Sequence, residues 1–479
     1  MADQLAQPWL AHAVTPAIDA MGAAGVTFAN TYCNSPLCAP SRFGMMSGQL
    51  NSKIGAFDNA SEFPSSIPTF AHYLRGAGYQ TSLVGKMHFV GPDQLHGYEE
   101  RLTTDIYPAD FGWTPNWEDP DGRFDWWFHN MDSVTGAGVA EASNQLDYDD
   151  EVGFRAVTKL RDLARTTDER PWFLTVSFTH PHDPYVARQG FWDLYHHASI
   201  PMPAVGPVAD ADPHSQRLAH VISADTTRVS DEQIRSARHA YLANTSYVDA
   251  FVAQILDTLR RHDMADNTVV MFTSDHGDML GERGLWYKMS FFEASTRVPM
   301  ILVAPGRLTP GTVHTPASLL DVAPTLLDLA GVDRPAEFDG ASLLSLVDRE
   351  EPERTVRGEY LGEGAVAPVF MIRRGGEKYI WSEPDPPQLY DLDTDPHELT
   401  NLAPSHAHAA AYEEEIHECW DVATIDRSVR ASQRARRQVD TALRQGRHFP
   451  WDFQPSVDAA NQYMRNHLDL NDVEASRRA

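Results

Sequence analysis

Cysteine is scarce in this chain: Cys33, Cys38 and Cys419 are the only thiols among 479 residues. Three cannot form a disulfide framework, and an odd number suits a reducing, cytoplasmic compartment. Long hydrophobic runs are also lacking. No stretch approaches the roughly 18 apolar residues of a membrane span. The N-terminus has no basic segment leading into an apolar core, so no export signal is expected. Basic charge is the third shortage, with 39 Lys and Arg against 67 Asp and Glu and a net charge of −28. A body this acidic repels phosphate backbones and anionic lipid. That excludes nucleic acid and membrane surfaces as expected partners and favours a cationic ligand. Internal repeats and low-complexity tracts are missing too. The remaining composition, 42% hydrophobic and 22% charged, is that of an ordinary globular protein and excludes a disordered or collagen-like chain.

At about 100–200 residues per domain, the length allows two to four domains or one large α/β unit. Near-continuous apolar runs at Thr81–Gly85, Trp172–Phe178, Thr268–Thr273 and Met300–Ala304 read as strands buried on both faces of a mostly parallel sheet. Helical patterns lie between them at Ile67–Ala77, Asp149–Ala164 and Asp231–His262. This alternation predicts α/β layers, in which ligands sit beyond the carboxyl ends of the strands. The pattern changes after about Asp348. Gly358–Tyr360, Phe370–Arg373, Lys378–Trp381 and Gln388–Asp391 read as short strands of a smaller sheet. Asp421–Gln445 is an Arg-rich helical pattern, with Ile425, Val429, Ala435, Val439 and Leu443 at helical spacing and Gly446 placed to cap it. The expected division is residues 1–348, 349–420 and 421–479.

Residues able to do chemistry follow the apolar runs. The sharpest stretch is Pro36-Leu37-Cys38-Ala39-Pro40-Ser41-Arg42, closed by Gly48. A second runs from Gly78 to Lys86-Met87-His88. Cys38 alone would read as a small buried residue. Together the two motifs resemble the paired signatures of type I sulfatases, in which a Cys-x-Pro-x-Arg cysteine is oxidised to formylglycine. The resemblance implies an alkaline-phosphatase-like α/β fold with a large, mixed but mostly parallel sheet between helices. It also implies a smaller C-terminal α+β subdomain, a helical tail and a maturation enzyme that converts Cys38. A hydrated aldehyde answers a chemical need: one oxygen attacks sulfur, and the other later expels sulfate from the hemiacetal ester as the aldehyde re-forms. A plain Cys or Ser would stay sulfated.

Other residues take roles from the same resemblance. His180, in His180-Pro181-His182-Asp183-Pro184 after an apolar run, is the expected general acid for the leaving oxygen, with His182 as a structural neighbour. Asp275 and His276, after the Thr268–Thr273 run, resemble the family's metal pair, and Lys288 follows at the family spacing. Arg42 is expected to steady the hydrate, while Lys86, His88 and Lys288 neutralise sulfate oxygens. His88 or a neighbour helps release sulfate. The metal set is Asp3, Cys38 as formylglycine, Asp275 and His276, which suits Ca²⁺ first, with Mn²⁺ or Mg²⁺ as alternatives. Met1-Ala2-Asp3-Gln4-Leu5 resembles the end of the family's N-terminal metal motif without its preceding strand. A truncated or mis-assigned start is therefore expected, and a longer native N-terminus by intact mass is the check.

Ile54–Ala60, Lys86–Trp117 and the end of the chain, from Cys419 through Trp451-Asp452-Phe453-Gln454-Pro455 to Asp469, resemble the choline-sulfatase branch of the family. The likeness covers nearly the whole chain. It implies hydrolysis of choline sulfate, a zwitterion, with Asn59, Trp113 and His129 lining the choline pocket and Glu363 as carboxylate partner of the cation. A quaternary ammonium is held by aromatic faces and nearby carboxylates. Trp113, Trp117, Trp126 and Trp127 cluster beside many acids, and of these Trp113 is the expected pocket residue. Residues 427–447 carry seven Arg against one Asp. A solvated helix face or a nucleic-acid arm are alternatives, but docking on a second subunit of a dimer or tetramer is the expected use, with Asp469 reaching a neighbour's site. Other alkyl or aryl sulfatases, a phosphonate monoester hydrolase, and a non-catalytic assembly or binding protein are the rival readings.

Overall fold

The computed structural model describes residues 1–123, 129–347, 349 and 351–445. Strands β1 (Val26–Phe28), β2 (Gln80–Gly85), β3 (Glu100–Arg101), β4 (Trp172–Ser177), β5 (Val270–Thr273), β6 (Met300–Val303) and β7 (Gly311–Val313) form the main sheet in two parts. In one, β3, β2 and β4 run parallel. In the other, ordered β7-β1-β6-β5, strand β6 is antiparallel to both neighbours while β1 and β7 run parallel. The sheet is thus more mixed than the apolar runs suggested. Apolarity on both faces reports burial, which parallel and antiparallel central strands share.

The two parts are joined through the first residues. The Met1 ammonium donates to the Val176 carbonyl at 2.8 Å, the Phe178 amide to Met1 O at 3.0 Å, and the Ala2 amide to Thr273 O at 3.0 Å. Ala2 pairs in parallel with Ser274, and Asp3 with Pro181. Asp3 therefore arrives at the carboxyl ends of β4 and β5 together. Behind Met1, a cavity of about 670 Å³ lies between these strands, lined among others by Phe173, Thr175, Leu259, Val270 and Phe272.

Helices α1 (Pro16–Ala24), α2 (Cys38–Ser47), α3 (Phe70–Gly76), α4 (Asn144–Leu163), α5 (Asp231–Arg261) and α6 (Val322–Ala330) pack around the sheet. A Ser230–Gln233 capping box starts the 31-residue α5 where the sequence suggested. Helix α4 begins earlier than expected because the Ser143 hydroxyl caps the Leu146 amide at 3.1 Å. The small sheet is an antiparallel meander of β8 (Thr355–Tyr360), β9 (Val369–Arg374), β10 (Glu377–Ser382) and β11 (Asp385–Asp391). Helices α7 (His408–Cys419) and α8 (Val422–Leu443) follow. The expected cap at Gly446 lies outside the described residues. One apolar cluster runs from Leu37 and Phe178 through Phe291 to Tyr360, Phe370 and Val429. We propose the division at 348 and 420 as one of chain segments around a shared core.

Helix α8 grips its own chain. Arg436 makes two 2.7 Å bonds to the Asp58 carboxylate. Arg430 donates to the carbonyls of Val366 and Trp117, Arg434 pairs with Glu118 at 2.6 Å, and the Gln433 carbonyl accepts the Trp117 amide. The arginines expected to seek a second subunit are in good part spent on the wall of residues 113–118 and on Asp58.

Candidate active site

Loops leaving β2, β4 and β5 converge on the first residue of α2. Leu37 is extended, with φ −157°, and turns the chain so that Cys38 opens the helix. The whole of α2 is buried, and its N-terminal dipole favours an anion at Cys38. Arg42 lies one turn on, on the same face. Its Nε donates to Asp275 Oδ2 at 2.8 Å, and Nη1 donates to Ser177 Oγ at 2.9 Å and to the Lys86 carbonyl. Arg42 thus ties the ends of β2, β4 and β5 together beneath the thiol. Two glycines permit this closeness. A Cβ at Gly85 would stand 2.0 Å from Ser177 O, and at Gly277 2.1 Å from Ala294 O. Four non-glycine residues adopt left-handed backbone at the rim: Gln4 (φ 65°), His88 (58°), Tyr287 (63°) and Met289 (76°). Such strain concentrates where surrounding structure over-determines the chain, commonly at reactive sites.

The centre is strongly charged and buried. Burial pushes the Cys38 thiol up, but Lys288, Lys86 and His88 outweigh it and bring it to about 6. Lys86 Nζ pairs with Asp3 Oδ2 and lies 4.0 Å over the Tyr107 ring. Lys288 Nζ donates to Gln4 Oε1 at 2.6 Å and sits 2.8 Å from His182 Nε2. Burial and the facing Asp275 push Asp3 up to about 7 against the pull of Lys86 and Arg42. Asp275 experiences the same burial, yet Arg42, His276 and Lys86 hold it well below the usual carboxylate range. Burial also lowers His276 to about 4.

Asp3, Cys38, Asp275 and His276 place one donor atom each within 4.8 Å of all the others. His276 Nδ1 lies 3.0 Å from the Gly277 carbonyl, which assigns the proton there and leaves the Nε2 lone pair facing Cys38 Sγ at 3.2 Å. The same Nε2 is 3.7 Å from both an Asp3 and an Asp275 oxygen. Two buried carboxylates and one neutral imidazole fit a divalent cation, whose charge would relieve their repulsion.

The two histidines after β4 are used differently. His180 Nδ1 bonds Asp149 Oδ2 on α4 at 2.6 Å, its amide bonds the same oxygen, and its ring packs edge-on to Tyr247. His182 Nε2 lies 4.0 Å from Cys38 Sγ and 2.8 Å from Lys288 Nζ, with Nδ1 held by the Asp183 carbonyl at 2.7 Å. Of these two, the imidazole that reaches Cys38 is His182, whereas the expectation gave the catalytic part to His180 and made His182 a neighbour. Gln4, Tyr107 and Asp183 were also missed. Gln4 Nε2 bonds Asp278 and Asp183 while its carbonyl takes Lys288. Of the three, only Asp183 carried a sequence signal, as an acid just after the Trp172–Phe178 apolar run.

Around the centre, Trp113, Tyr107, His88, His182, His129 and Tyr287 form a continuous aromatic wall with centroid separations of 4.8–6.0 Å. His129 Nδ1 also lies 3.4 Å from Asp183. Asn59 Oδ1 accepts the Ala39 amide at 2.9 Å beside the nucleophile. Trp117 donates to Gly362 O and supports α8. Glu363 is buried with both carboxylate oxygens unpartnered among the described residues. Burial, Asp58 and Cys38 push it up to about 8, against Lys288. A cavity of about 250 Å³ reaches Glu363 past Trp117, Arg217 and Arg437. Asp469, Trp126 and Trp127 lie outside the described residues.

Comparison with known proteins accords with this geometry. The model described as Sulfatase matches residues 9–332, that for the choline sulfatase enzyme C terminal matches 427–478, and that for the N-sulphoglucosamine sulphohydrolase C-terminal part matches 281–421. A choline-sulfatase of Rhizobium meliloti (strain 1021) is 52% identical over 478 residues, covering 97% of this chain and 93% of that protein. Arylsulfatase K of Bos taurus is 28% identical, covering 81% and 73%. Among solved structures, a phosphonate monoester hydrolase from Silicibacter pomeroyi superposes with TM-score 0.69 at 23% identity, covering 88% and 93% of the two chains. A 2-O GAG sulfatase superposes with TM-score 0.68 at 24% identity, covering 91% and 92%. These two establish the alkaline-phosphatase-like fold. With a family model across two thirds of its length and a half-identical relative end to end, the chain belongs to the sulfatase family and is a sulfuric ester hydrolase.

Proposed function

We propose that this enzyme hydrolyses choline sulfate to choline and sulfate. The observation that carries the reading is Glu363, a buried carboxylate with no partner among the described residues and within the electrostatic reach of Cys38 and Lys288. A dianionic or aryl substrate gives such a group no partner, whereas a quaternary ammonium does. Trp113 and His129 belong to the aromatic wall that would face the trimethylammonium, and Asn59 holds the start of α2 behind it. Formylglycine made from Cys38 would supply an oxygen nucleophile that can be released again, and Asp3, Asp275 and His276 would hold a divalent cation, Ca²⁺ by the oxygen-rich donor set, whose charge would favour the anionic form of that nucleophile.

The chain's own residues do the rest. Lys86 and Lys288 receive the sulfate oxygens, where fixed charge in a water-poor site acts most strongly. Arg42 holds Asp275 and the strand ends in register. Lys288, whose ammonium donates to the His182 Nε2 lone pair at 2.8 Å, supplies the proton, and His182 passes it on to the departing choline oxygen. This role passes from His180, whose ring is held by Asp149 and serves to brace the loop. His88, beside Cys38, is placed to take a proton as sulfate leaves.

The test is pH-resolved kinetics. Below about 8 Glu363 is largely neutral and above it is charged, so KM for choline sulfate falls as pH rises. The competent fraction changes about tenfold between one pH unit below that value and one above. Glu363→Gln flattens that dependence and raises KM for choline sulfate while sparing p-nitrophenyl sulfate. Equal effects on both substrates would overturn the reading in favour of a general aryl sulfatase.

The same proposal includes a cytoplasmic location, a maturation enzyme acting on Cys38, and a homo-oligomer built through the residues after α8. Removing residues 446–479 then yields a smaller species by light scattering. An unchanged mass rules out that assembly route.

A further inference from the structure

We propose a second metal site, for a divalent first-row transition cation, formed by Glu377 of β10 with His406 and His408 on the surface of the small sheet. Their donor atoms lie within 4.8 Å of one another. His408 Nδ1 is 3.0 Å from Glu377 Oε1, and His406 Nε2 is 3.8 Å from the same oxygen. Donors held about 2.0–2.2 Å from a tetrahedral cation stand about 3.3 Å apart, and the two observed separations bracket that value. Small rotations of two partly exposed side chains complete the geometry.

The carboxylate is aimed rather than loose. Tyr412, one turn beyond His408 on α7, donates its hydroxyl to Glu377 Oε2 at 2.8 Å. This is the supporting bond that a ligating carboxylate commonly receives. Among the described residues no Lys or Arg pairs with Glu377, whereas its neighbours Arg357 and Arg374 both go to Glu415. Asp391 lies near enough to His406 to feel its charge, which adds to the attraction for a cation. Coordination through His406 Nε2 places the proton on Nδ1, so the 3.3 Å contact from the His408 amide gives way when the site fills.

Two imidazoles and one carboxylate select Zn²⁺, Ni²⁺ or Cu²⁺ over Ca²⁺ and Mg²⁺, which prefer all-oxygen sets. The site is therefore chemically distinct from the oxygen-rich catalytic set. The His408 side chain is 62% exposed, leaving the fourth position to water. Binding clamps the segment 401–407 and the start of α7 onto β10.

The experiment is calorimetric titration of tag-free, Ca²⁺-saturated full-length enzyme with Zn²⁺, repeated with Ni²⁺. The wild type takes up one equivalent more than His406→Ala/His408→Ala, and Glu377→Gln weakens that equivalent by at least tenfold. Hydrolysis in Ca²⁺ is the same for all. Because His408 is mostly exposed, His408→Ala alone serves should the double variant fold poorly. Equal stoichiometry in wild type and folded variant overturns the site.

Discussion

The Cys38→Ala enzyme is expected to lose hydrolysis of choline sulfate by a factor on the order of 10⁴–10⁶ in kcat/KM, the range seen when a covalent nucleophile is deleted. The fold should survive, since Cys38 contributes one buried thiol, while the α2 helix is held by Arg42 and Asn59. Cys38→Ser is the more informative companion. Its hydroxyl can accept a sulfuryl group but has no second oxygen with which to expel sulfate. It should therefore give at most one turnover, leaving a sulfated peptide visible by mass spectrometry. In wild-type enzyme, the fraction of peptide converted to formylglycine should scale with specific activity. Full activity from unmodified thiol, or retained turnover in Cys38→Ala, would remove the mechanism.

The second large effect is expected at a residue far from the motif. Arg436→Met should destabilise the protein by about 3–5 kcal/mol, the cost of stranding one member of a buried ion pair. Arg436 and Asp58 are 7% and 0% exposed and meet through two bonds, so Asp58 keeps an uncompensated charge in the variant. That charge sits next to Asn59, which caps the start of α2, and it already raises Glu363. KM for choline sulfate should rise more than KM for p-nitrophenyl sulfate. Asp58→Asn in the same chain should recover much of the lost stability, because the two effects are coupled through one pair. Equal thermal midpoints for wild type and Arg436→Met would show that α8 is not anchored this way.

The reach of the sequence can be judged at particular residues. Cys38 and Arg42, four apart, share a helix face by local geometry alone, and the run of apolar residues before Asp275 placed it at a strand end. Those features are local, so they were legible. The histidine assignment was not. His180 and His182 are two residues apart, and their roles depend on Asp149, contributed by α4 to one and not to the other. The Arg-rich helix meets the same limit. A charge count cannot tell whether arginines meet another subunit or an aspartate 378 positions away in the same chain.

The sequence by itself determined the chemistry: a nucleophile at a helix start, basic groups past the strands, and an acidic body of net −30 over residues 1–420, from 29 basic and 59 acidic side chains. Only the tertiary structure decided which groups share a site. It brought His182 and Gln4 to Lys288, left Glu363 buried without a partner among the described residues, and closed Arg436 on Asp58. The reason is physical. Side-chain type and local spacing set what a residue can do, but burial and pairing, which set its charge and proton affinity, are properties of contacts between distant segments.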